Sequence, residues 1–290
     1  MTSINTNPGA LVALQNLNSI SARLEEVQRR VSTGLEVSSA KDNPTLYTLA
    51  QQQRAQLGSL ESVRQGLRVG VSTVDVALAA GESISDVLVE MRAIASQAAD
   101  PSKSQADRDA LGQQYVALRE QLERLVDSAS IGGRNLIANG ANDLVVVASD
   151  DGSSTITVAA QDLSVGGGNV TISASATPFA AMADDPGTAG VDESAPGYAA
   201  QLEIAAIDES IANVTNALAQ MGAGGKALTL QNKILSRVAD SLEISIGNLV
   251  DADLAKESSR LQALQVQQQL AIQVLSIANA APNSILALFA

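Results

Sequence analysis

The sequence predicts a mainly α-helical protein: a long antiparallel helical, coiled-coil-like bundle formed by both chain ends, with a small β-hairpin region in the middle. Three observations carry this. Ile207, Val214, Met221, Leu228, Leu235, Leu242 and Leu249 recur at strict seven-residue spacing, and Ile204, Ile211, Leu218 and Ile246 fill much of the companion register. Hydrophobic residues make up 46% of the 290 residues but aromatics only 2%, so apolar surface is spread over Ala, Leu, Val and Ile, as long packed helices prefer. The formal net charge of -13 is segregated: residues 1–20 and 261–290 carry no charge, whereas residues 141–200 carry eight acids and no base.

In chain order, Leu17, Ile20, Leu24, Val27 and Val31 step by three and four, which places them on one helical face. Gly34 fits the left-handed position that ends such a helix. Asn43 reads as an N-cap with Pro44 at the first helical position, because proline pre-sets φ and lacks the N–H that would be orphaned there. A second helix is predicted from about Pro44 to Ala98, with Gly58, Gly66, Gly70 and Gly81 as points of possible bending. A third is predicted over about Gln105–Ser128, its apolar face made by Leu111, Tyr115, Leu118, Leu122 and Leu125, and Ile131 to Leu136 is predicted as loop.

From Asp143 the pattern changes. Leu144 to Ala148 and Thr155 to Val158 are rich in β-branched residues around Asp150-Asp151-Gly152-Ser153, which predicts a hairpin. Val170 to Ser173 is expected as a further strand, and residues 176–198, with their prolines and glycines, as loop. A helix from about Tyr198 to Val250 would be on the order of 80 Å long at 1.5 Å per residue, with Gly222, Gly224 and Gly225 as its expected kink. A last helix from about Asp251 to Ala281 has Leu261, Leu264, Leu270, Val274 and Ile277 as its apolar side. Helices this long require packing the two chain ends side by side.

Composition excludes several chemistries. There is no Cys, His or Trp, so a disulfide framework, a thiol nucleophile, a Ser-His-Asp triad and a typical zinc site are all closed. With 31 Asp and Glu against 18 Lys and Arg, the charge disfavours nucleic acid, which needs a basic face. Met1 to Gly9 does not read as a secretory signal, and the Gln-rich end does not read as a membrane span. No catalytic residue, cofactor or metal site is predicted. Asp251, Asp253 and Glu257 are read as acids complementing a helix N-terminus rather than as calcium ligands.

The motifs that remain resemble those of a known family. Arg30-Val31-Ser32-Thr33-Gly34 with Ser39-Ala40-Lys41-Asp42, the opening Ile4-Asn5-Thr6-Asn7, and Gly133-Arg134-Asn135-Leu136 resemble the N-terminal part of bacterial flagellin. Asp251-Ala252-Asp253-Leu254-Ala255-Lys256-Glu257-Ser258-Ser259, and the Gln-rich helix ending Ala278-Asn279-Ala280-Ala281-Pro282-Asn283 with Leu286 and Leu288, resemble its C-terminal part. The likeness covers about residues 1–140 and 200–290. It departs at Asn232-Lys233-Ile234, where the family usually has Asn-Arg-Leu, at Gly247-Asn248-Leu249-Val250, where it often has Ser-Arg-Ile, and at Asn43-Pro44-Thr45-Leu46-Tyr47, where it has small residues. Lys233 lacks the planar two-donor fork of arginine.

The resemblance implies a terminal layer (1–43 with 251–290), a helical bundle layer (44–140 with 198–250) and a small, acidic, solvent-facing insertion (141–197). It implies a subunit that polymerises with itself into the hollow flagellar filament, exported unfolded without a cleaved signal and located outside the cell. By the same resemblance its partners are the flagellar cap, hook-junction proteins and an export chaperone. The expected subunit-interface residues are Leu17, Leu24, Val31, Arg30, Lys41, Asp42, Asp251, Asp253, Leu264, Leu270 and Ile277. Ser153, Ser154, Thr155, Thr171 and Ser173 are candidate O-glycosylation positions. Arg92 lies where the family can be sensed by an innate immune receptor, but its surroundings differ and no recognition is predicted. The uncharged ends are too small to bury their own stripes, so they are expected to order on assembly. The alternatives are a flagellin-like hook–filament junction protein, a coiled-coil signalling rod and, least, a carboxylate-based enzyme.

Overall fold

The computed structural model describes residues 6–180 and 195–286. Five helices and two small antiparallel hairpins follow in the order α1 (Pro8–Thr33), α2 (Pro44–Ala98), α3 (Gln105–Ser128), β1 (Ser130–Ile131), β2 (Arg134–Asn135), β3 (Leu144–Val147), β4 (Thr155–Val158), α4 (Tyr198–Val250) and α5 (Leu254–Leu286). The mainly α class with a central hairpin is as expected. Of the predicted 176–198 loop, residues 181–194 lie outside the described residues, as do Ile4, Asn5 and Leu288.

Local chemistry sets the helix ends. The Asn7 side chain accepts the Ala10 N–H at 3.1 Å, Pro8 opens α1, and Gly34 closes it at φ 72°. Asn43 Oδ1 accepts the N–H groups of Thr45 and Leu46, both at 3.1 Å, ahead of Pro44. Ser104 and Asp107 form a reciprocal capping box on α3. Helix α5 starts at Leu254 rather than Asp251, because Asp253 Oδ1 accepts the Ala255 and Lys256 N–H groups and so occupies the cap position.

Two expectations are corrected. Ile131 to Leu136 is not loop throughout: Gly132 (φ 58°) and Gly133 (φ 78°) make a two-residue turn that pairs Ser130 with Asn135 and Ile131 with Arg134. Val170 to Ser173 forms no strand. Beyond a single bridge from Val165 to Val170, the segment lies along α4, where the Thr171 N–H donates to Ser210 Oγ (2.9 Å) and the Ser173 N–H to Glu203 Oε2 (3.3 Å). Side chains of a helix here replace the edge of a sheet.

The described chain divides into two compact units, residues 59–238 and residues 1–58 with 239–290. In the first, α2 and α4 run antiparallel, tied by Arg64 to Ser236 and by Arg92 to Asp208. Ile207, Val214, Met221, Leu228 and Leu235 are buried, as their spacing requires. The companion row differs from the expected Ile204, Ile211 and Leu218: Glu203, Ser210 and Ala217 are the buried residues. On α3 likewise, Arg108, Gly112 and Arg119 are buried beside Tyr115, Leu122 and Val126, while Leu111, Leu118 and Leu125 are half-buried. Helix α4 continues through Gly222 to Gly225 without interruption. Those glycines admit close neighbours instead: a Cβ on Gly224 would stand 2.8 Å from Val158, and one on Gly225 3.2 Å from Val74.

In the other unit, α1 pairs with α5. The joint beneath them is a small core of Val37, Ala50, Ile246 and Val250, with Leu35, Leu46, Tyr47, Leu57 and Leu249 packed around it. Backbone bonds weld the joint: the Glu36 N–H donates to Val250 O at 2.7 Å, and the Ala252 N–H to Gly34 O at 2.9 Å.

Candidate assembly surfaces

The α1–α5 pair is antiparallel. The Asn7 side-chain N–H donates to Ala278 O (2.7 Å), Gln268 to Ser21 Oγ (3.3 Å), and Arg30 lies 3.7 Å from Glu257. Toward α5, helix α1 presents Ala13, Leu17, Ile20, Leu24, Val27 and Val31, all buried or half-buried. Toward α1, helix α5 presents Glu257, Leu261, Leu264, Gln268, Ala271, Leu275 and Ala278, which step by four and three along its length.

This corrects the apolar side read from the sequence. Leu261 and Leu264 do face α1, but Leu270, Val274 and Ile277 do not. With Val266 they form a second, exposed apolar face of α5, where Ile277 is 71% and Leu270 54% exposed, and whose Leu270 and Val274 edge borders α1 across a groove. Ala, Leu, Val and Ile occur almost all round this helix, so no single stripe stands out from spacing alone. On α1, Leu11, Val12 and Leu14 are exposed too, Leu11 at 60%. A groove between the helices is lined by Ala13, Ile20, Arg23, Leu270 and Val274.

The charged candidates divide. Arg30 is held within the chain by Glu26 (2.7 Å), Glu36 (3.9 Å) and Glu257. Asp42 Oδ2 accepts from the hydroxyls and backbone N–H groups of Ser38 and Ser39. Those bonds, the Ser38 hydroxyl first, hold its carboxyl below the ordinary range. Lys41 and Asp251 are exposed, Asp251 bridging by its backbone to Leu35, and Asp253 is spent on the α5 cap. Arg92 is paired with Asp208.

Among the glycosylation candidates, Ser153 Oγ donates to Asp151 (2.8 Å), Thr171 Oγ1 contacts Ala206 O (3.3 Å), and Ser173 is half-buried with Oγ accepting from Ser175. Ser154 and Thr155 are exposed at the hairpin. Among the described residues no cluster of Asp and Glu is arranged to hold a metal ion, and no helix is long and apolar enough to cross a membrane.

Sequence reasoning did not anticipate the burial of Glu257, Glu203 and Arg119, which adds to that of Arg108 and Ser210. Glu257 is 4% exposed and shared between Arg30 and Arg260 (2.6 Å), and its Oε2 has no hydrogen-bond partner among the described residues. Glu203 accepts the Tyr115 O–H at 2.8 Å. Arg119 donates to Ser173 O (3.1 Å) and Ser175 O (2.6 Å). The Tyr115 phenol is pushed up, chiefly by burial and then by the Glu203 charge, and its ring meets Phe179 edge-on at 5.1 Å. Glu203 and Ser210 stand seven residues apart, as do Glu257 and Leu264, so the heptad register itself was the available signal.

Comparison with known proteins agrees with this arrangement. The model of the bacterial flagellin N-terminal helical region matches residues 4–142, and that of the C-terminal helical region matches residues 204–289. Flagellin FljM of Caulobacter vibrioides is 41% identical over 289 residues, covering 100% of this chain and 99% of its own. Flagellin C of Rhizobium meliloti is 34% identical over 324 residues, with 100% and 99% covered. A solved structure from Vibrio parahaemolyticus, assigned as a flagellar hook-associated protein, superposes with a TM-score of 0.56 at 16% identity, over 72% of this chain and 100% of that one, a likeness of fold alone. With both helical ends matched and its relatives aligned from end to end, this chain belongs to the bacterial flagellin family, the structural subunits of the flagellar filament.

Proposed function

We propose that the chain polymerises through the second faces of its terminal helices. The observation that supports this is the apolar face of α5 made by Val266, Leu270, Val274 and Ile277, each more than half exposed among the described residues. Soluble monomers rarely keep a contiguous apolar strip of this kind uncovered. In a helical polymer it is covered by neighbours through heterologous contacts that do not close into a ring. The flanking residues are uncharged Gln, Asn, Ser and Ala, which enter an interface without the desolvation cost of ions. Leu17, Leu24, Val31 and Leu264 would then hold the terminal pair together, and Leu270 and Ile277 would make the contacts between copies.

The unit spanning residues 59–238 carries 22 of the 31 acids and 11 of the 18 bases. Its excess negative charge suits a solvated outer surface that keeps filaments apart. Ser154 and Thr155 on the hairpin are the positions best placed for an O-glycan. Export without a cleaved signal, and handling by a cap, junction proteins and an export chaperone, complete the reading by family analogy.

The test is elongation of short filament seeds by the intact chain and by a chain lacking residues 1–20 and 261–290, followed by electron microscopy. Growth by the intact chain alone supports the reading. Equal growth by both removes the terminal helices from the mechanism.

A further inference from the structure

Two stripes of unpaired charge, opposite in sign, lie on the unit spanning residues 59–238. Helix α4 has no Asp or Glu from Ser210 to Ala239, and Lys226, Lys233 and Arg237 are exposed there. Their spacing of seven and four puts them on one helical face. Helix α2 has no Lys or Arg from Val69 to Val89, and Asp75, Glu82, Asp86 and Glu90, spaced seven, four and four, are exposed on one face as well. None of these seven residues belongs to an ion pair among the described residues.

The stripes sit at different heights. The contacts Arg64–Ser236 and Gly70–Leu228 fall within the basic stripe, Gly81–Leu218 and Arg92–Asp208 span Glu82, Asp86 and Glu90, and Val74–Gly225 marks where the stripes adjoin, at Asp75 and Lys226. Centre to centre the offset is some sixteen residues of α2, roughly 25 Å at helical rise. At physiological salt that is about three Debye lengths, so apart from the adjoining ends at Asp75 and Lys226 the two stripes do not neutralise each other within a chain.

We propose that the basic stripe on α4 of one copy docks against the acidic stripe on α2 of a second copy, with neighbouring copies staggered by about 25 Å along the helices. The inference rests on the filament reading above and specifies a contact within it. In a polymer of copies pointing the same way, α4 of one copy runs antiparallel to α2 of the next, as the two helices do within one chain. At that stagger Lys226 comes level with Glu90 and Lys233 with Glu82, while Arg237 lies between Glu82 and Asp75. Exposed Leu230 and Ile234 flank the basic stripe, and Val89 flanks the acidic one. These apolar neighbours exclude water from the contact, so its charge pairs count for more than solvated surface pairs do. The two sides are different surfaces and the copies are staggered along the axis, so the contact propagates instead of closing into a ring.

The experiment uses two charge reversals in the full chain, K233E/R237E and E82K/D86K, each measured for seeded elongation alone and in equimolar mixture. Neither pair has an ion-pair partner among the described residues, so the thermal unfolding midpoint should match that of the parent. Each variant alone should elongate parental seeds at least about tenfold more slowly, because like charges then face each other across the contact. The equimolar mixture should recover to within about threefold of the parent, since each variant presents what the other lacks. Growth of either variant alone at the parental rate overturns the proposal, as does a mixture no faster than its components. If a reversal lowers the unfolding midpoint, the neutral pair K233Q/R237Q replaces it, with slower growth supporting the contact and unchanged growth overturning it. Should the parent itself fail to elongate seeds, the filament reading falls along with this one. Parental growth with insensitive variants defeats this contact alone.

Discussion

Replacing Leu270 and Ile277 together by Gln tests how far the outer face of α5 drives assembly. Both residues are largely exposed in the monomer, at 54% and 71%. Gln has nearly the helix propensity of Leu, so the helix itself is little affected. Full burial of a Leu or Ile side chain is worth about 1.5–3 kcal/mol. Only the part still exposed in the monomer can be gained on assembly. Scaling by those fractions leaves roughly 0.8–1.6 kcal/mol for Leu270 and 1–2 kcal/mol for Ile277. The sum, about 2–4 kcal/mol per added subunit, corresponds to a rise of roughly thirty- to several-hundred-fold in the concentration needed for elongation, at tenfold per 1.4 kcal/mol. The assay is sedimentation of seeded mixtures over a concentration series, with thermal unfolding of the unassembled protein alongside. An elongation threshold within about threefold of the parent would refute the reasoning, because it would mean that neither side chain leaves water when a subunit is added.

Three further outcomes follow from the geometry. Tyr115→Phe removes the 2.8 Å donor to buried Glu203 and leaves that carboxylate with the longer Ser173 N–H bond; denaturant unfolding should show a loss of about 1–3 kcal/mol, and an unchanged midpoint would place Glu203 in solvent. The Asp151 carboxyl is lowered to about 2 from 3.8 by hydrogen bonds from the Ser149 hydroxyl and then from Ser153. A depressed carboxylate pKa contributes stability above 3.8 that is lost as pH falls toward 2, so the hairpin turn should loosen in that window, and Ser149→Ala should move the Asp151 titration upward in NMR. Gly34→Ala meets no neighbour within 4 Å and costs only its φ of 72°, about 1 kcal/mol. Gly197→Ala combines φ 86° with a Cβ 2.7 Å from the Ala99 carbonyl oxygen, so its loss in thermal stability should exceed that of Gly34→Ala, and equal losses would argue against the close approach.

The helix ends and the hairpin turns depend on a few residues acting over four or five positions. Asn43 before Pro44, Ser104 with Asp107, Gly34, and Asp150 to Ser153 were therefore legible without any knowledge of neighbours. The Gly132-Gly133 hairpin was missed because strands of two residues carry no readable alternation. The strap over Val170 to Ser175 was misread as a strand because β-branched residues signal an extended backbone and not its partner. Here the partners are Ser210, Glu203 and Arg119, contributed by two helices.

The sequence by itself determined the class, the five helices, the strict heptad of α4 and the pairing of two uncharged chain ends, because periodicity and capping are properties of one helix at a time. Only the tertiary structure decided which side of each helix is inside. Glu203, Ser210, Arg119 and Glu257 occupy inward positions that hydrophobicity assigns to their neighbours, and Leu270 and Ile277 occupy outward ones. A polar side chain is stable inside when a particular distant group completes its hydrogen bonds, and an apolar one can stand outside when another copy of the chain is there to cover it. Both conditions depend on groups far away in sequence or in another molecule, and local spacing does not report them.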